Sequence, residues 1–291
     1  MKSTDSYWER IEALGNALRT ADAVIVGAGS GLSTAAGLDY AGEDFQSMFA
    51  AWIRRYGFTD LYTSAFYPFE SEEERWAYWA KHIWFCRYRT GGTPLYRQLL
   101  GLLEGKDFFV VTTNTDAQFE LSGYNTDRIF ATQGDYGLFQ PATGSPKTLV
   151  SNREWVMEAL QHIQDCRIPT GLIPRMPDGQ PAAMNLRVDD TFVEDYRWHR
   201  QSKRYTDFVK RASGGKLLLL EFGIGFNTPG IIRLPFEQMA SLFPDTTLVR
   251  FNPDYPDPSV QGLSRFISFT ETIGDILSDV QTAHRQSAEK D

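Results

Sequence analysis

The run Ala23-Val24-Ile25-Val26, followed at once by GAGSGLSTAAG from Gly27 to Gly37, constrains this chain more than any other feature. A continuous apolar run without alternation needs cover on both sides, which a strand inside a parallel sheet provides. Glycines directly after such a strand let the backbone approach a pyrophosphate. A helix starting there aims free N–H groups and a partial positive charge at the same anion. The plainer alternative is a tight strand-to-helix turn with no ligand. The spacing G-x-G-x-x-G is not kept, and no acidic residue marks a second strand end about twenty residues on, which disfavours an ordinary dehydrogenase.

Similar apolar runs occur at Phe108 to Thr112, Leu217 to Phe222 and Thr247 to Phe251, with weaker ones at Ile129-Phe130 and Phe266-Ile267. Segments long enough for crossover helices lie between most of them, for example 230–242, and residues 271–284 follow the last. Trp8, Ile11, Leu14 and Leu18 recur at helical spacing behind a cap at Ser3 or Thr4. The alternation predicts an α/β fold: a Rossmann-like, doubly wound parallel sheet built from residues 1–40, 106–139 and 214–291. Two stretches break the rhythm. Residues 41–105 are aromatic and helical in pattern, and residues 140–213 are rich in proline and loops; together they predict a small second domain over the C-terminal edge of the sheet. Trp76, Tyr78, Trp79, Trp84 and Phe85 are read as core of that insertion, and as a channel lining only if one face opens to the cleft. Glu72, Glu73 and Glu74 read as a solvated first turn that complements the helix dipole.

The chain has 291 residues and a net charge of -8, which argues against nonspecific binding to nucleic acid or anionic membrane and favours a small molecule or a protein as partner. A charged N-terminus, no apolar stretch of about twenty residues and only two cysteines predict a cytoplasmic protein without a disulfide framework. His82 with Cys86 and His162 with Cys166 form two i, i+4 pairs. They are not in a compact knuckle, so no metal is expected.

Two polar stretches stand at predicted strand ends: VTTNTD, Val111 to Asp116, and ATQG, Ala131 to Gly134. Asn114 and Asp116 suit a cap for a helix starting at Ala117, and also suit a ligand site, because strand ends of an open α/β sheet are where ligands bind. Gln133 can equally be a turn residue before Gly134.

With these residues in view, the chain resembles the sirtuins over nearly its whole length. GSGLSTAAGLDY, Gly29 to Tyr40, resembles the run GAGxSxxxGIPDFR. TTNTD, Thr112 to Asp116, resembles TQNID, and TQG, Thr132 to Gly134, resembles the later LHG. NLRVDDTFVED from Asn185, LLLLEFGIGFN from Leu217 and FNP from Phe251 resemble three further family motifs in order. Within the family the resemblance points to the class M sirtuins of microbes. It implies NAD as co-substrate, contacted by Gly29, Ser30, Gly31, Thr34, Asp39, Tyr40, Asn114, Thr115, Asp116, Gln133, Gly223, Gly225, Asn252 and Pro253. Asp116 would hold the nicotinamide carboxamide, Asn114 would orient the ribose and its nucleophile, and Asn252 would touch the adenosine ribose. It also implies mono-ADP-ribosyl transfer to a protein acceptor, a lipoylated glycine cleavage H-like protein, with a macrodomain ADP-ribosyl hydrolase as associated enzyme.

The chain departs from the family pattern at several positions. Ala41 stands where the arginine of DFR is expected, GTS has become Gly223-Ile224-Gly225, and Met176 and Gly179 in MPDGQP replace zinc cysteines, so no zinc ribbon is expected. Gln133 stands at the family's histidine. An amide exchanges hydrogen bonds but takes up no proton at neutral pH, so deacylation loses its base while cleavage and capture of ADP-ribose do not. This predicts transfer, with Asn114, Gln133 and Asp116 as the catalytic set. The alternatives are NAD hydrolysis, protein deacylation, and a non-catalytic sensor of NAD or ADP-ribose.

Overall fold

The computed structural model describes the backbone over residues 5–288 and side chains over 5–283. Ser3 and Thr4 lie outside the described residues. The first helix, Tyr7–Thr20, is capped instead by Ser6, whose Oγ accepts from the Glu9 amide while the Glu9 carboxylate accepts from the Ser6 amide, a reciprocal box.

Six strands form one parallel sheet: β1 (Ala23–Ala28), β2 (Phe108–Thr112), β3 (Ile129–Ala131), β7 (Leu217–Phe222), β8 (Thr246–Phe251) and β9 (Phe266–Phe269), in the order β3-β2-β1-β7-β8-β9. Three more, β4 (Gly134–Pro141), β5 (Val150–Ser151) and β6 (Ala182–Leu186), form a separate antiparallel sheet in the order β5-β4-β6. The large sheet explains its continuous apolar runs. Val24, Val26, Val110, Leu218, Leu220 and Val249 face the helices Tyr7–Thr20, Pro94–Leu102 and Ile273–Ala288. Their alternates Ile25, Phe109, Val111, Leu219 and Leu248 face Tyr196–Ala212 and Arg233–Leu242. With both faces covered, the two-residue period of a strand leaves no position for a polar face. The helix Tyr196–Ala212 falls within the 140–213 stretch yet packs on the large sheet, with Phe208 in the core beside Phe109.

The antiparallel sheet, the helix Glu72–Ile83 with its π-turn Trp84–Tyr88, and the helix Arg153–Gln161 enclose a second core. Trp76, Tyr78, Trp79 and Phe85 are buried in it and Trp84 packs against it. Trp76 meets Phe139 and Trp155 edge to face at 5.5 Å each, so the aromatic segment is core. Glu74 departs from the expected solvated turn. It is buried, because Arg55 reaches its Oε1 at 2.7 Å and Arg167 at 3.4 Å, tying the two inserted stretches together. Where a zinc knuckle would stand, Met176 is buried in the core and Met176–Gln180 close a turn by backbone hydrogen bonds of 2.8 Å. His82 and Cys86 are both buried, and Cys166 lies past the end of its helix at φ 61°. Among the described residues no group of three His, Cys, Asp or Glu is placed to hold a metal ion.

One feature of the large sheet runs against its apolar character. Glu221 and Arg250 are partners in the β7–β8 register, and Arg250 donates to both Glu221 oxygens at 2.8 and 2.9 Å and to Glu237 at 2.7 Å, all three side chains being buried. Burial pushes the Glu221 carboxyl up against the pull of Arg250. Arg250→Met removes the guanidinium hydrogen bonds of two buried carboxylates, leaving Arg233 at 3.6 Å from Glu221 and 3.8 Å from Glu237, and is expected to cost about 3–5 kcal/mol. Adding Glu221→Leu should recover part of that loss in urea unfolding. Equal stability of Arg250→Met and the unaltered chain would show that the network contributes nothing.

Candidate functional site

Order in the large sheet reverses between β1 and β7, and the carboxyl ends flanking such a switch point form a crevice. The turn after β1 and the turn after β7 touch there. The Gly31 amide donates to the Gly223 carbonyl at 3.2 Å. A Cβ on Gly31 would lie 2.6 Å from Gly223 Cα, and one on Gly223, at φ +58°, would lie 2.4 Å from Gly31 Cα. These glycines therefore serve a backbone contact between two loops, whereas Gly225 faces open space.

Beneath the turn, four side chains form one hydrogen-bonded cluster. Asn114 Nδ2 donates to the Gly29 carbonyl at 2.9 Å and to Ser33 Oγ at 3.0 Å. Ser33 Oγ gives its proton to Asp116 Oδ2 at 2.5 Å, so the Tyr96 hydroxyl, 2.9 Å away, is its donor. Asp116 Oδ1 also accepts from the Gln118 amide at 3.0 Å, but the short helix starts at Gln118, not Ala117, and its N-cap Ala117 has no side-chain cap, so Asn114 and Asp116 serve the cluster and not the expected capping role. Ala117, between Asp116 and Gln118, adopts φ 55°, an uncommon conformation for a non-glycine residue. No protein donor among the described residues reaches Asn114 Oδ1. Asp116 is buried, and removal from water raises its carboxyl above the ordinary range, against the pull of Ser33.

The remaining predicted residues are distributed around this cluster. Ser30, Thr34, Asp39 and Pro253 are exposed; Asp39 accepts from the Ala41 amide. Tyr40 packs against the second core, and burial raises its hydroxyl, with Cys86 and Tyr136 adding to the effect. The Thr115 carbonyl accepts from the Tyr136 amide at 2.9 Å. Gln133 Nε2 donates to Thr228 Oγ1 at 3.2 Å, bridging the β3 end to the loop after β7. Asn252 is occupied otherwise than the resemblance implies: Nδ2 holds the Ile224 carbonyl at 2.8 Å, and Oδ1 accepts from the amides of Asp254 and Tyr255. Ser33 and Tyr96 were not picked out from the sequence. Ser33 lies inside the glycine run, one helical turn past Ser30, while Tyr96 comes from a helix distant in sequence with no local signal.

A cavity of about 590 Å³ ends on Asn114 and Asp116 and opens between β3, β4 and the start of the helix Tyr196–Ala212. Its lining includes Trp198, Phe119, Phe130 and the ion pair Arg87–Asp135 at 2.9 Å. Among the described residues no imidazole reaches the cluster. His82 is buried between Trp79 and Tyr136, which lowers it to about 3 and keeps it neutral at physiological pH.

No family model matches the chain. A protein ADP-ribosyltransferase of Staphylococcus aureus is 31% identical over 278 residues, covering 94% of this chain and 88% of that protein. The chain belongs to this family of protein ADP-ribosyltransferases. A second relative in Fusarium oxysporum, a probable bifunctional ADP-ribose hydrolase/ADP-ribosyltransferase, is 33% identical over 76% of this chain, which spans 38% of that longer protein. The fold of this transferase family member is that of Sir2 enzymes. A Sir2 homologue in complex with NAD matches at TM-score 0.64 and 13% identity over 98% of this chain and 96% of that one. Sir2Tm bound to a propionylated peptide matches at TM-score 0.58 and 13% identity over 94% and 98%.

The raised carboxyl of Asp116 has a sign that can be checked. The native state holds its proton more tightly than the unfolded chain, so this group's contribution is full at low pH and is lost as pH rises from about 3.9, the unfolded value, through the raised native one. Asp116→Asn removes the titration and one of the two acceptors, a loss that does not depend on pH. Its unfolding free energy should therefore gain on the unaltered chain across that window and stay level above it. A gain by the unaltered chain instead would reverse the assigned direction.

Proposed function

We propose that the chain is an NAD-dependent mono-ADP-ribosyltransferase of class M sirtuin type, acting in the cytoplasm on a lipoylated glycine cleavage H-like protein, with a macrodomain hydrolase as its counter-enzyme. The observation that carries the transfer reading is the amide of Gln133, tethered by Thr228 at the β3 end, with no imidazole among the described residues reaching the Asn114–Asp116 cluster. The name of the Staphylococcus aureus relative supports it.

In this reading the crevice at the glycine turn takes the pyrophosphate of NAD. Asp116, held by Ser33, anchors the nicotinamide carboxamide, and the raised carboxyl suits a proton-sharing contact with an amide. The unpartnered Oδ1 of Asn114 accepts from a ribose hydroxyl and fixes the sugar for attack. The bond from C1′ to the pyridinium nitrogen breaks with both electrons leaving on nicotinamide. A lone pair of the acceptor side chain forms the new bond to C1′, and any proton it carries passes to water. Gln133 hydrogen-bonds the ribose without removing a proton.

Incubation with NAD labelled in the ADP-ribose part and the lipoylated carrier should place label on the carrier and release nicotinamide. Asn114→Ala should cut transfer by at least about a hundredfold with an unchanged circular dichroism spectrum. Gln133→Ala should slow it as well; transfer at the unaltered rate would remove the amide from the mechanism. Free ADP-ribose formed equally with and without carrier would identify a hydrolase, and intact NAD a sensor.

A further inference from the structure

The helix Tyr196–Ala212 contrasts with the rest of the chain. It carries six of the 29 Lys and Arg residues and only one, Asp207, of the 37 Asp and Glu residues. Its inner side is fixed to the large sheet: Trp198 stacks edge-on to Phe130 at 5.0 Å and donates to the Thr132 carbonyl at 3.3 Å, one residue from Gln133. The basic side therefore faces outward beside the candidate site. Arg200 and Arg204 share Asp127, Lys203 pairs with Asp207, and Arg211 pairs with Asp107. Arg197 reaches no carboxylate among the described residues.

Neither does Arg153, which approaches the same cavity from the small sheet's side with its guanidinium over the Tyr88 ring at 5.1 Å. Both arginines are exposed and line the cavity that ends on Asn114 and Asp116. Of the acids in that lining, Asp116 is buried in its cluster, Asp135 is paired with Arg87, and Asp195 caps the helix through the Trp198 amide. That leaves Glu120 against two arginines without carboxylate partners.

We propose that this face is the docking surface for an acidic patch of the protein acceptor, whose carboxylates pair with Arg153 and Arg197 on the two sides of the cavity. The proposal rests on the transfer reading and names the surface chemistry of its partner. A nucleic acid fits less well, because a polyphosphate extending past this patch meets the acidic surface of a chain with net charge -8. A discrete acidic patch on a folded protein matches the limited extent of the basic face, and charges at such a rim act chiefly on association rate and salt dependence.

The test compares Arg153→Glu/Arg197→Glu with Arg153→Lys/Arg197→Lys, using a fluorescently labelled lipoylated H-like carrier. Binding is read by anisotropy at low and high salt, the KM for carrier by transfer, and NAD affinity by titration. Charge reversal should weaken carrier binding and raise its KM at least about tenfold at low salt, with the difference shrinking as salt rises. The lysine pair should stay close to the unaltered chain, and NAD affinity should be the same in all three. Equal carrier binding by the two variants, a salt-independent loss, a parallel loss of NAD affinity, or no carrier binding by the unaltered chain each overturns the proposal. Duplex DNA binding as tightly as the carrier overturns it too. Carrier that binds in the expected pattern but accepts no ADP-ribose leaves the docking surface standing and removes the transfer reading.

Discussion

The backbone contact between Gly31 and Gly223 sets the geometry on which the candidate site depends. It joins the turn after β1 to the turn after β7 with no room for a side chain on either residue. From it, single hydrogen bonds run outward in both directions. Asn114 holds the Gly29 carbonyl on the β2 side, and Asn252 holds the Ile224 carbonyl on the β8 side. Four strand ends are thus fixed relative to one another by two side-chain amides and by backbone hydrogen bonds, Gly29 to Phe222, Gly31 to Gly223, Thr113 to Ala28 and Gly223 to Phe251. The short helix Ser30–Ala35 leaves this junction with Ser33 directed at Asp116, so the polar cluster follows from the glycine contact. A bulkier residue at either glycine would displace a loop, and with it the Gly29 and Ile224 carbonyls that Asn114 and Asn252 hold.

The buried charges support the same region from below. Arg250 and Arg233 do more than offset Glu221 and Glu237. Arg250 donates to the Asp257 carbonyl at 2.7 Å, and Arg233 to the carbonyls of Tyr255 and Asp257. Glu237 accepts from the Ser259 amide. The loop that follows Asn252 therefore has its backbone groups satisfied by buried side chains instead of by a strand or helix of its own. Desolvating four charges is expensive, and a well-packed apolar cluster would stabilise the sheet at least as well. What an apolar cluster lacks is donors and acceptors for a loop backbone.

The contrast between what was legible in the sequence and what was not has a physical basis. All six strands of the large sheet appear as apolar runs because helices cover both faces, and β3 and β9 are weak signals because they are short. The antiparallel sheet was not visible as strands. β4 contains two glycines and ends in Pro141, β5 has two residues, and β6 is interrupted by Asn185, whose amide is satisfied only by Gln140 and Val193 across the fold. Asn114 and Asp116 were legible as polar residues at a strand end. Their partners Ser33 and Tyr96 were not, since that pairing exists only once three distant segments meet. Glu74 shows the same limit: its sequence neighbours suggest a solvated turn, and arginines from two other segments bury it.

The amide at Gln133 has a structural role apart from chemistry, since it joins the end of β3 to the loop after β7 through Thr228. An imidazole there would be free to take a proton only if one nitrogen stayed unprotonated and the other were held by a partner. The amide fixes the same two elements with a donor and an acceptor that keep their roles at every physiological pH. His82, the histidine nearest the cluster's Tyr136 neighbour, cannot substitute, because its own burial holds it neutral and Tyr78 occupies its Nδ1 at 2.9 Å. Its Nε2 is buried without a partner and has no path to the cluster through a hydrogen bond. What the described residues bring to these strand ends is a buried carboxyl, Asp116, with side-chain amides and hydroxyls around it, and no imidazole.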